Sequence, residues 1–180
     1  MIRLITGGQR SGKSTFAEKL FADFSDVVYF ATAEKREDDY EMQARIQKHI
    51  ARRNQKWRTV ECYKNFDTYI GTEKHYLLDC ITNSVSRFLF EYTGEKSNIT
   101  DDDFETVFAA IQKTFSTLLT VVRDKDLDLL MVTNEVGSAT IPMHKISRMF
   151  VDLQGMTNSF LAAHCDEVYW CVSGIPVRVK

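Results

Sequence analysis

The stretch Gly7-Gly8-Gln9-Arg10-Ser11-Gly12-Lys13-Ser14 follows a short apolar run at residues 2–5 and precedes a helical pattern marked by Phe16, Leu20 and Phe21. Its spacing is Gly-x-x-x-x-Gly-Lys-Ser. The glycines permit backbone angles that other residues avoid, so consecutive N–H groups can turn inward toward phosphate oxygens. The helix that follows presents its positively polarised N-terminus to the same anion. This context predicts a phosphate-binding loop rather than a glycine-rich turn with an incidental lysine.

The side chains at the end of this loop have separate predicted roles. We expect Lys13 to supply a cation for the outer phosphates and the Ser14 hydroxyl to serve as a magnesium ligand. Asp79 follows the apolar run at residues 76–78 and is the candidate for a second Mg²⁺ ligand, although a plain strand-end acid or a helix cap fits its spacing almost as well. The predicted phosphate-binding residues of the loop are Gly7, Gly8, Gln9, Arg10, Ser11, Gly12, Lys13 and Ser14.

Short apolar runs alternate with helical patterns along the chain. The runs occupy residues 2–5, 27–31, 76–78, 129–133 and 168–172, and each is typical of a strand that is buried on both faces. Helical patterns occupy residues 16–24, 38–53, 104–122 and 146–160. This alternation predicts an α/β fold of the P-loop NTPase type, with three layers and a mainly parallel sheet. Residues 173–176 read as the turn of a C-terminal antiparallel hairpin, and residues 1–180 as a single domain.

Composition excludes several functional classes. Lys and Arg total 23 against 25 Asp and Glu, a net charge of −2, which argues against a protein that coats nucleic acid. No apolar run approaches the roughly 20 residues that a membrane-spanning helix needs. The four cysteines contain no Cys-x-x-Cys pair, which favours reduced buried thiols over disulfides or a zinc site. We therefore expect a cytoplasmic protein with no nucleic-acid partner and no membrane span.

The absence of one sequence motif disfavours a switch GTPase. A switch GTPase normally carries an Asn-Lys-x-Asp element for the guanine base, and the chain has none. Val132-Thr133-Asn134-Glu135 follows an apolar run but is a different element. The sequence therefore favours a small-molecule kinase or a nucleotidyltransferase.

One histidine lies in an unusual setting, on the predicted helix at residues 38–53. Acidic residues occupy the first turns of this helix and basic residues the last, which complements the helix dipole. Ile46 and Ile50 share one face, while Arg45 and His49 lie on a neighbouring stripe. Neighbouring cations keep an imidazole neutral and attract phosphate, which suits a covalent nucleophile. On pattern alone, an exposed surface histidine is the simpler interpretation.

Several further motifs occur in the same order as in one known family. They are Tyr29-Phe30-Ala31-Thr32-Ala33, Arg45-Ile46 with His49, Trp57-Arg58-Thr59 with Glu61, Leu77-Leu78-Asp79-Cys80-Ile81-Thr82, Val132-Thr133-Asn134-Glu135-Val136-Gly137 and Val172-Ser173-Gly174-Ile175. On these motifs and the glycine loop, the sequence resembles the bifunctional cobinamide kinase / cobinamide-phosphate guanylyltransferase family of cobalamin biosynthesis. The resemblance extends over nearly the whole chain.

The resemblance implies a two-step enzyme. Members of the family phosphorylate the aminopropanol hydroxyl of adenosylcobinamide with ATP or GTP at the P-loop, where Mg²⁺ assists. The histidine of the Arg-Ile-x-x-His helix takes GMP from GTP with release of pyrophosphate, and the GMP then passes to the new phosphate to give adenosylcobinamide-GDP. Carried over, this nucleophile is His49, which reverses the preference for a surface histidine. The implied guanine-nucleotide residues are Thr32, Ala33, Glu34, Arg52, Arg53 and Glu61.

Two other functions are compatible with the sequence, and the family resemblance also implies an oligomeric state. The first alternative is a P-loop kinase of another small alcohol, with His49 as a surface residue. The second is a nucleotide-binding regulator without corrinoid-dependent turnover, which the missing Asn-Lys-x-Asp element disfavours. The resemblance also implies a homotrimer, and Asp79 matches an acidic position of the family near the P-loop.

Overall fold

A single seven-stranded sheet forms the centre of the computed structural model. The structure describes residues 1–33, 40–52, 54–94, 96 and 99–180. In the helix at residues 40–52 it describes the backbone throughout, but not the side chains of residues 41, 42, 45, 48, 49 and 52. No helix in these ranges is both long and apolar enough to cross a bilayer.

The sheet has the order β3-β2-β4-β5-β1-β6-β7. Neighbouring strands are parallel throughout except for the antiparallel pair β6 and β7, as predicted. The carboxyl ends of the six parallel strands therefore meet at one edge of the sheet. The strands are β1 Ile2–Gly7, β2 Val27–Ala31, β3 Arg58–Glu61, β4 His75–Asp79, β5 Asp128–Val132, β6 Glu167–Val172 and β7 Ile175–Arg178.

Helices cover both faces of this sheet and complete the predicted three layers. The helix after the glycine loop packs on one face, where Ala17 joins Ile5, Tyr29 and Leu130 in a buried cluster. Three longer helices pack on the other face, over Leu4 and other apolar strand residues. The helices are α1 Lys13–Leu20, α2 Tyr40–Arg52, α3 Ile81–Thr93, α4 Asp101–Asp124 and α5 Lys145–His164, with a 3-10 turn at Phe66–Tyr69.

Two elements were not among those predicted. β3 is an edge strand in which only Val60 is half-buried, so it lacks the continuous apolar run that marks the other parallel strands. α3 begins directly after β4, and its first turns contain Thr82, Asn83 and Ser84, residue types that favour caps and turns. α1 is also shorter than its pattern suggests, because it ends at Leu20.

The C-terminal hairpin turns more tightly than predicted. The turn consists of Ser173 and Gly174 alone, whose φ angles are 50° and 87°. A two-residue turn of this kind needs positive φ at both positions, and its backbone twist matches that of the flanking strands. β7 therefore begins at Ile175, and Pro176 lies on the edge strand, where a missing N–H group is tolerated.

A capping box begins the long helix α4. The Thr100 hydroxyl accepts a hydrogen bond from the Asp103 N–H, and the Asp103 carboxylate accepts one from the Thr100 N–H at 2.9 Å. We expect Thr100→Ala to lower the free energy of unfolding by about 1 kcal/mol, because it removes one half of this box. Urea denaturation measures the change, and Thr117→Ala, on the exposed face of the same helix, is the matched control. Equal stabilities of the two variants would contradict the prediction.

Candidate active site

The carboxyl ends of five strands surround a cavity of about 1110 Å³. Its lining comes from the segments that follow β1, β2, β3, β4 and β5, and Ile46 and Ile50 of α2 complete one wall. Ligand pockets in proteins usually measure roughly 300–1,000 Å³. The cavity is therefore large enough for a nucleotide and part of a second substrate.

The glycine loop needs glycine at both of its fixed positions. Gly7 has a φ of 148°, and a Cβ atom there would lie 2.5 Å from the carbonyl oxygen of Cys171. Gly12 has a φ of 92°, and its Cβ would lie 3.1 Å from the Cα of Gly174. Gly174 also donates a backbone hydrogen bond to the Ser11 carbonyl at 3.0 Å. The turn of the C-terminal hairpin therefore packs against the glycine loop.

Lys13 is the first residue of α1 and directly follows the second glycine of the loop. Only 7% of the residue is exposed, and its ammonium group donates a hydrogen bond of 2.6 Å to the Gly8 carbonyl. Burial lowers the pKa of Lys13, while the nearby Cys80 and Asp79 oppose this shift. Gly12 is the N-cap of α1 and has no side chain to cap the first N–H groups of the helix. A buried ammonium and helix N–H donors at one place form a site suited to phosphate.

Asp79 ends β4 and faces the same cavity as Ser14. The Tyr29 hydroxyl donates a hydrogen bond of 2.8 Å to Oδ2 of Asp79, which orients the carboxylate. A carboxylate and a hydroxyl are the hard oxygen ligands that Mg²⁺ prefers, and this ion usually completes its shell with water and phosphate oxygens. The described residues contain no group of three or more His, Cys, Asp or Glu placed to hold a metal. The pair therefore fits Mg²⁺ bound largely through a nucleotide.

Most of the predicted site residues with described side chains lie in this cavity. Thr32 differs, because it is fully buried and its hydroxyl exchanges hydrogen bonds with the backbone N–H and carbonyl of Cys80, at 2.8 and 2.7 Å. It therefore ties the end of β2 to the end of β4. Gly7 and Gly8 contribute backbone to the loop. The predicted residues that line the cavity are Gln9, Arg10, Ser11, Gly12, Lys13, Ser14, Ala33, Glu61 and Asp79.

The remaining predicted residues belong to the segment around α2. Glu34 and Arg53 lie outside the described residues. The backbone at His49 and Arg52 belongs to α2, but their side chains are likewise outside the description. Ile46 and Ile50 of this helix line the cavity that also contains Lys13. The helix that carries position 49 therefore borders the same cavity as the glycine loop.

Several lining residues were not predicted to take part in the site. Asn134 and Glu135 follow β5, which pairs with β1 on one side and β4 on the other. They therefore lie between the glycine loop and Asp79. The signal was present in the sequence, because two polar residues directly follow a buried strand. The others are Tyr29, Ala31, Ile46, Ile50, Asn54, Gln55, Trp57, Thr59, Asn83, Val136 and Ala139, together with Thr15, Cys80 and Val132.

The four cysteines are free thiols, of which Cys62, Cys165 and Cys171 are buried and Cys80 is half-buried. Burial raises the pKa of Cys80 to about 12, although this residue lines the cavity. Burial likewise raises the pKa values of Cys62 and Cys165 to about 12. Because the thiolate is the reactive form, the raised pKa of Cys80 argues against this residue as a nucleophile in the cavity.

Comparison with known proteins assigns the family. The family model described as cobinamide kinase / cobinamide phosphate guanyltransferase matches residues 3–179. The bifunctional adenosylcobalamin biosynthesis protein CobU of Escherichia coli strain K12 is 39% identical over 184 residues, covering 100% of both chains. CobU of Salmonella typhimurium strain LT2 is 40% identical with the same coverage, and CobP of Pseudomonas aeruginosa is 32% identical over 98% of this chain and 96% of its own. These matches show that the chain belongs to the cobinamide kinase / cobinamide phosphate guanyltransferase family.

Proposed function

We propose that this protein phosphorylates adenosylcobinamide with ATP or GTP and then transfers GMP from GTP to the new phosphate, which gives adenosylcobinamide-GDP. The observation that carries the proposal is the shared cavity. Lys13 of the glycine loop and Ile46 and Ile50 of α2 line one continuous space. The glycine loop and the helix that carries position 49 therefore border the same cavity. Family membership supplies the identity of the corrinoid.

The kinase step is supported by the arrangement of the glycine loop. Phosphoryl transfer depends mainly on positioning and charge neutralisation. The loop backbone and the buried Lys13 would provide both to the β- and γ-phosphates of a bound nucleotide. Ser14 and Asp79 would hold Mg²⁺, which neutralises charge on the phosphates when bound. Tyr29 orients Asp79 for this role through its hydrogen bond.

The guanylyl step needs a nucleophile near the α-phosphate of GTP. We assign this role to His49, whose imidazole nitrogen forms a bond to the α-phosphorus as pyrophosphate leaves with the electron pair of the broken P–O bond. An oxygen of the corrinoid phosphate then attacks the same phosphorus, and the imidazole is released. Glu61 ends β3 and lines the cavity, and Ala33, two residues beyond the end of the neighbouring strand β2, lines it too. These residues, with Thr32, Glu34, Arg52 and Arg53, are our candidates for holding the guanine nucleotide.

A two-stage labelling experiment tests the proposal. The protein is first incubated with GTP that is radiolabelled in the α-phosphate, and the labelled protein is isolated. A histidine phosphoramidate gives a label that is stable to base and lost in acid. Addition of adenosylcobinamide phosphate should then move the label from the protein to a small product. Label that never forms, while kinase activity is present, would support the kinase-only alternative instead.

A homotrimer is part of the proposal, and the C-terminal hairpin supports self-association. β7 is an edge strand, and its pairing with β6 places Trp170 opposite Val177 and Val172 opposite Ile175. These four apolar side chains are between 42 and 66% exposed. An apolar edge of this kind is normally covered in a soluble protein, and a second copy of the chain would cover it.

Trp170→Glu is expected to convert the assembly to a monomer, because it introduces a charge at the centre of this apolar face. Light scattering coupled to gel filtration should give about three times 20.8 kDa for the wild type and 20.8 kDa for the variant. Met143→Glu makes the same kind of change at a residue that is 93% exposed and distant in sequence from the hairpin, and it serves as the control. An unchanged mass for Trp170→Glu would remove the hairpin from the interface.

A further inference from the structure

We infer that Glu135 is the catalytic base of the kinase step, the group that accepts the proton of the attacking substrate hydroxyl. This inference rests on the proposed kinase function and names a further residue of its site. Glu135 is half-buried and lines the cavity together with Lys13 and Asp79. Its backbone N–H donates a hydrogen bond of 3.0 Å to the carbonyl of Gly7, the first glycine of the loop.

The sheet order places Glu135 beside the glycine loop, where the transferred phosphate would bind. β5, which Glu135 follows, is the immediate neighbour of β1, which leads into the loop. Neighbouring strands are about 4.8 Å apart, so the strand of Glu61, four positions from β1, lies about 19 Å away. A base must come within roughly 2.6–3.2 Å of the proton donor, or act through one water. Glu61 is therefore too far from the loop to serve the hydroxyl that attacks there.

The other carboxylate near the loop is engaged differently. Asp79 accepts the Tyr29 hydroxyl at 2.8 Å and interacts electrostatically with Lys13. Within the part of the chain that the structure describes, the carboxylate of Glu135 has no hydrogen bond or ion pair. A carboxylate that a hydrogen-bond donor holds in one orientation suits metal binding. A carboxylate of a cavity-lining residue without such partners suits proton transfer.

Hydrogen bonds from α3 and α5 hold the segment that carries Glu135. Asn158 of α5 donates to the Asn134 carbonyl at 3.0 Å, and Thr82 accepts the Asn134 N–H at 2.9 Å. Gln154, which is fully buried, donates to the Thr133 hydroxyl at 2.9 Å and to Asn158 at 2.8 Å. Burial of polar side chains between a sheet and a helix costs free energy unless they are hydrogen-bonded. The network thus positions Asn134 and Glu135 before substrate binds, as catalysis requires.

The proposed kinase step is a displacement at the γ-phosphorus of the nucleotide. The substrate oxygen forms a bond to the γ-phosphorus, while the bond from this phosphorus to the β,γ-bridging oxygen breaks. The nucleoside diphosphate leaves with the electron pair, and the hydroxyl proton passes to the Glu135 carboxylate and then to solvent. The self-guanylylation of the protein by GTP needs no deprotonation of a hydroxyl. The two half-reactions should therefore respond differently to the loss of this base.

Glu135→Gln separates these half-reactions, because it keeps the size of the side chain and removes the proton acceptor. We expect kcat for phosphorylation of adenosylcobinamide by ATP to fall about 10²- to 10⁴-fold. Labelling of the protein by GTP radiolabelled in the α-phosphate should be unchanged, which also shows that the variant is folded. Glu105→Gln, on the exposed face of α4, is the matched control and should retain both activities.

The possible outcomes discriminate between explanations. Loss of phosphorylation with retained labelling supports Glu135 as the base. Unchanged phosphorylation, or an equal loss of both activities, overturns this role, because the residue would then be dispensable or serve the site as a whole. A wild-type protein that neither phosphorylates the corrinoid nor takes up label would instead refute the proposed function on which the inference rests.

Discussion

Lys13→Ala should lower the rate of phosphoryl transfer about 10²- to 10³-fold, the usual effect of removing one preorganised group that stabilises charge in a transition state. The effect should be large because the Lys13 ammonium is buried beside the loop backbone. A charge in such a site is screened far less than a surface charge. Burial also lowers the pKa of Lys13, but negative phosphate oxygens in the loop oppose that shift and favour the charged form.

Steady-state kinetics with ATP and adenosylcobinamide measure this effect. Lys19→Ala is the matched control, because Lys19 lies in the last turn of the same helix and is exposed. Thermal unfolding of both variants separates a catalytic defect from a loss of fold. A Lys13→Ala protein that is folded and phosphorylates at the wild-type rate would show that the loop is not the site of phosphoryl transfer.

His49→Ala should abolish covalent labelling by GTP while phosphorylation by ATP continues. The imidazole is the only proposed point of attachment for GMP, so its loss removes the intermediate rather than slowing one step. The kinase centre at the glycine loop keeps all of its own groups in this variant. Adenosylcobinamide phosphate should therefore accumulate, with no conversion to adenosylcobinamide-GDP.

The label on the protein and the two corrinoid products give this result directly. His144→Ala is the matched control, because His144 is exposed at the N-cap of α5 and its side chain makes no capping hydrogen bond. Label that persists in His49→Ala would place the nucleophile elsewhere. Loss of phosphorylation as well would show that α2 contributes to the kinase centre. The two half-reactions would then depend on a common residue, His49.

The glycine loop between β1 and α1 could be predicted from sequence because its determinants are local. A strand, two glycines, a lysine and a helix follow one another within a few residues, and each has its effect on its immediate neighbours. The structure confirms the need for glycine at residues 7 and 12, where side chains would meet backbone of the C-terminal hairpin. The sequence could not name that hairpin as the contacting partner, because it lies far along the chain.

Asp79 shows the limit of such local reasoning. Its position after an apolar run fitted a metal ligand, a plain strand-end acid or a helix cap. The structure places it in the cavity with Ser14, while Cys80 occupies the N-cap of α3. Its orienting partner, Tyr29, lies 50 residues earlier on the neighbouring strand. Only the pairing of β2 with β4 brings the two side chains together.

Sequence by itself therefore determined the kind of fold, the position of the glycine loop and, through family motifs, the proposal of His49 as the nucleophile. These depend on hydrophobic periodicity and on residues adjacent in the chain. Tertiary structure alone decided which distant residues share the cavity, above all Glu135 and the buried amides that position it. Strand order is set by the packing of both faces of the sheet, and five separate segments reach the active site only because their strands end at the same edge.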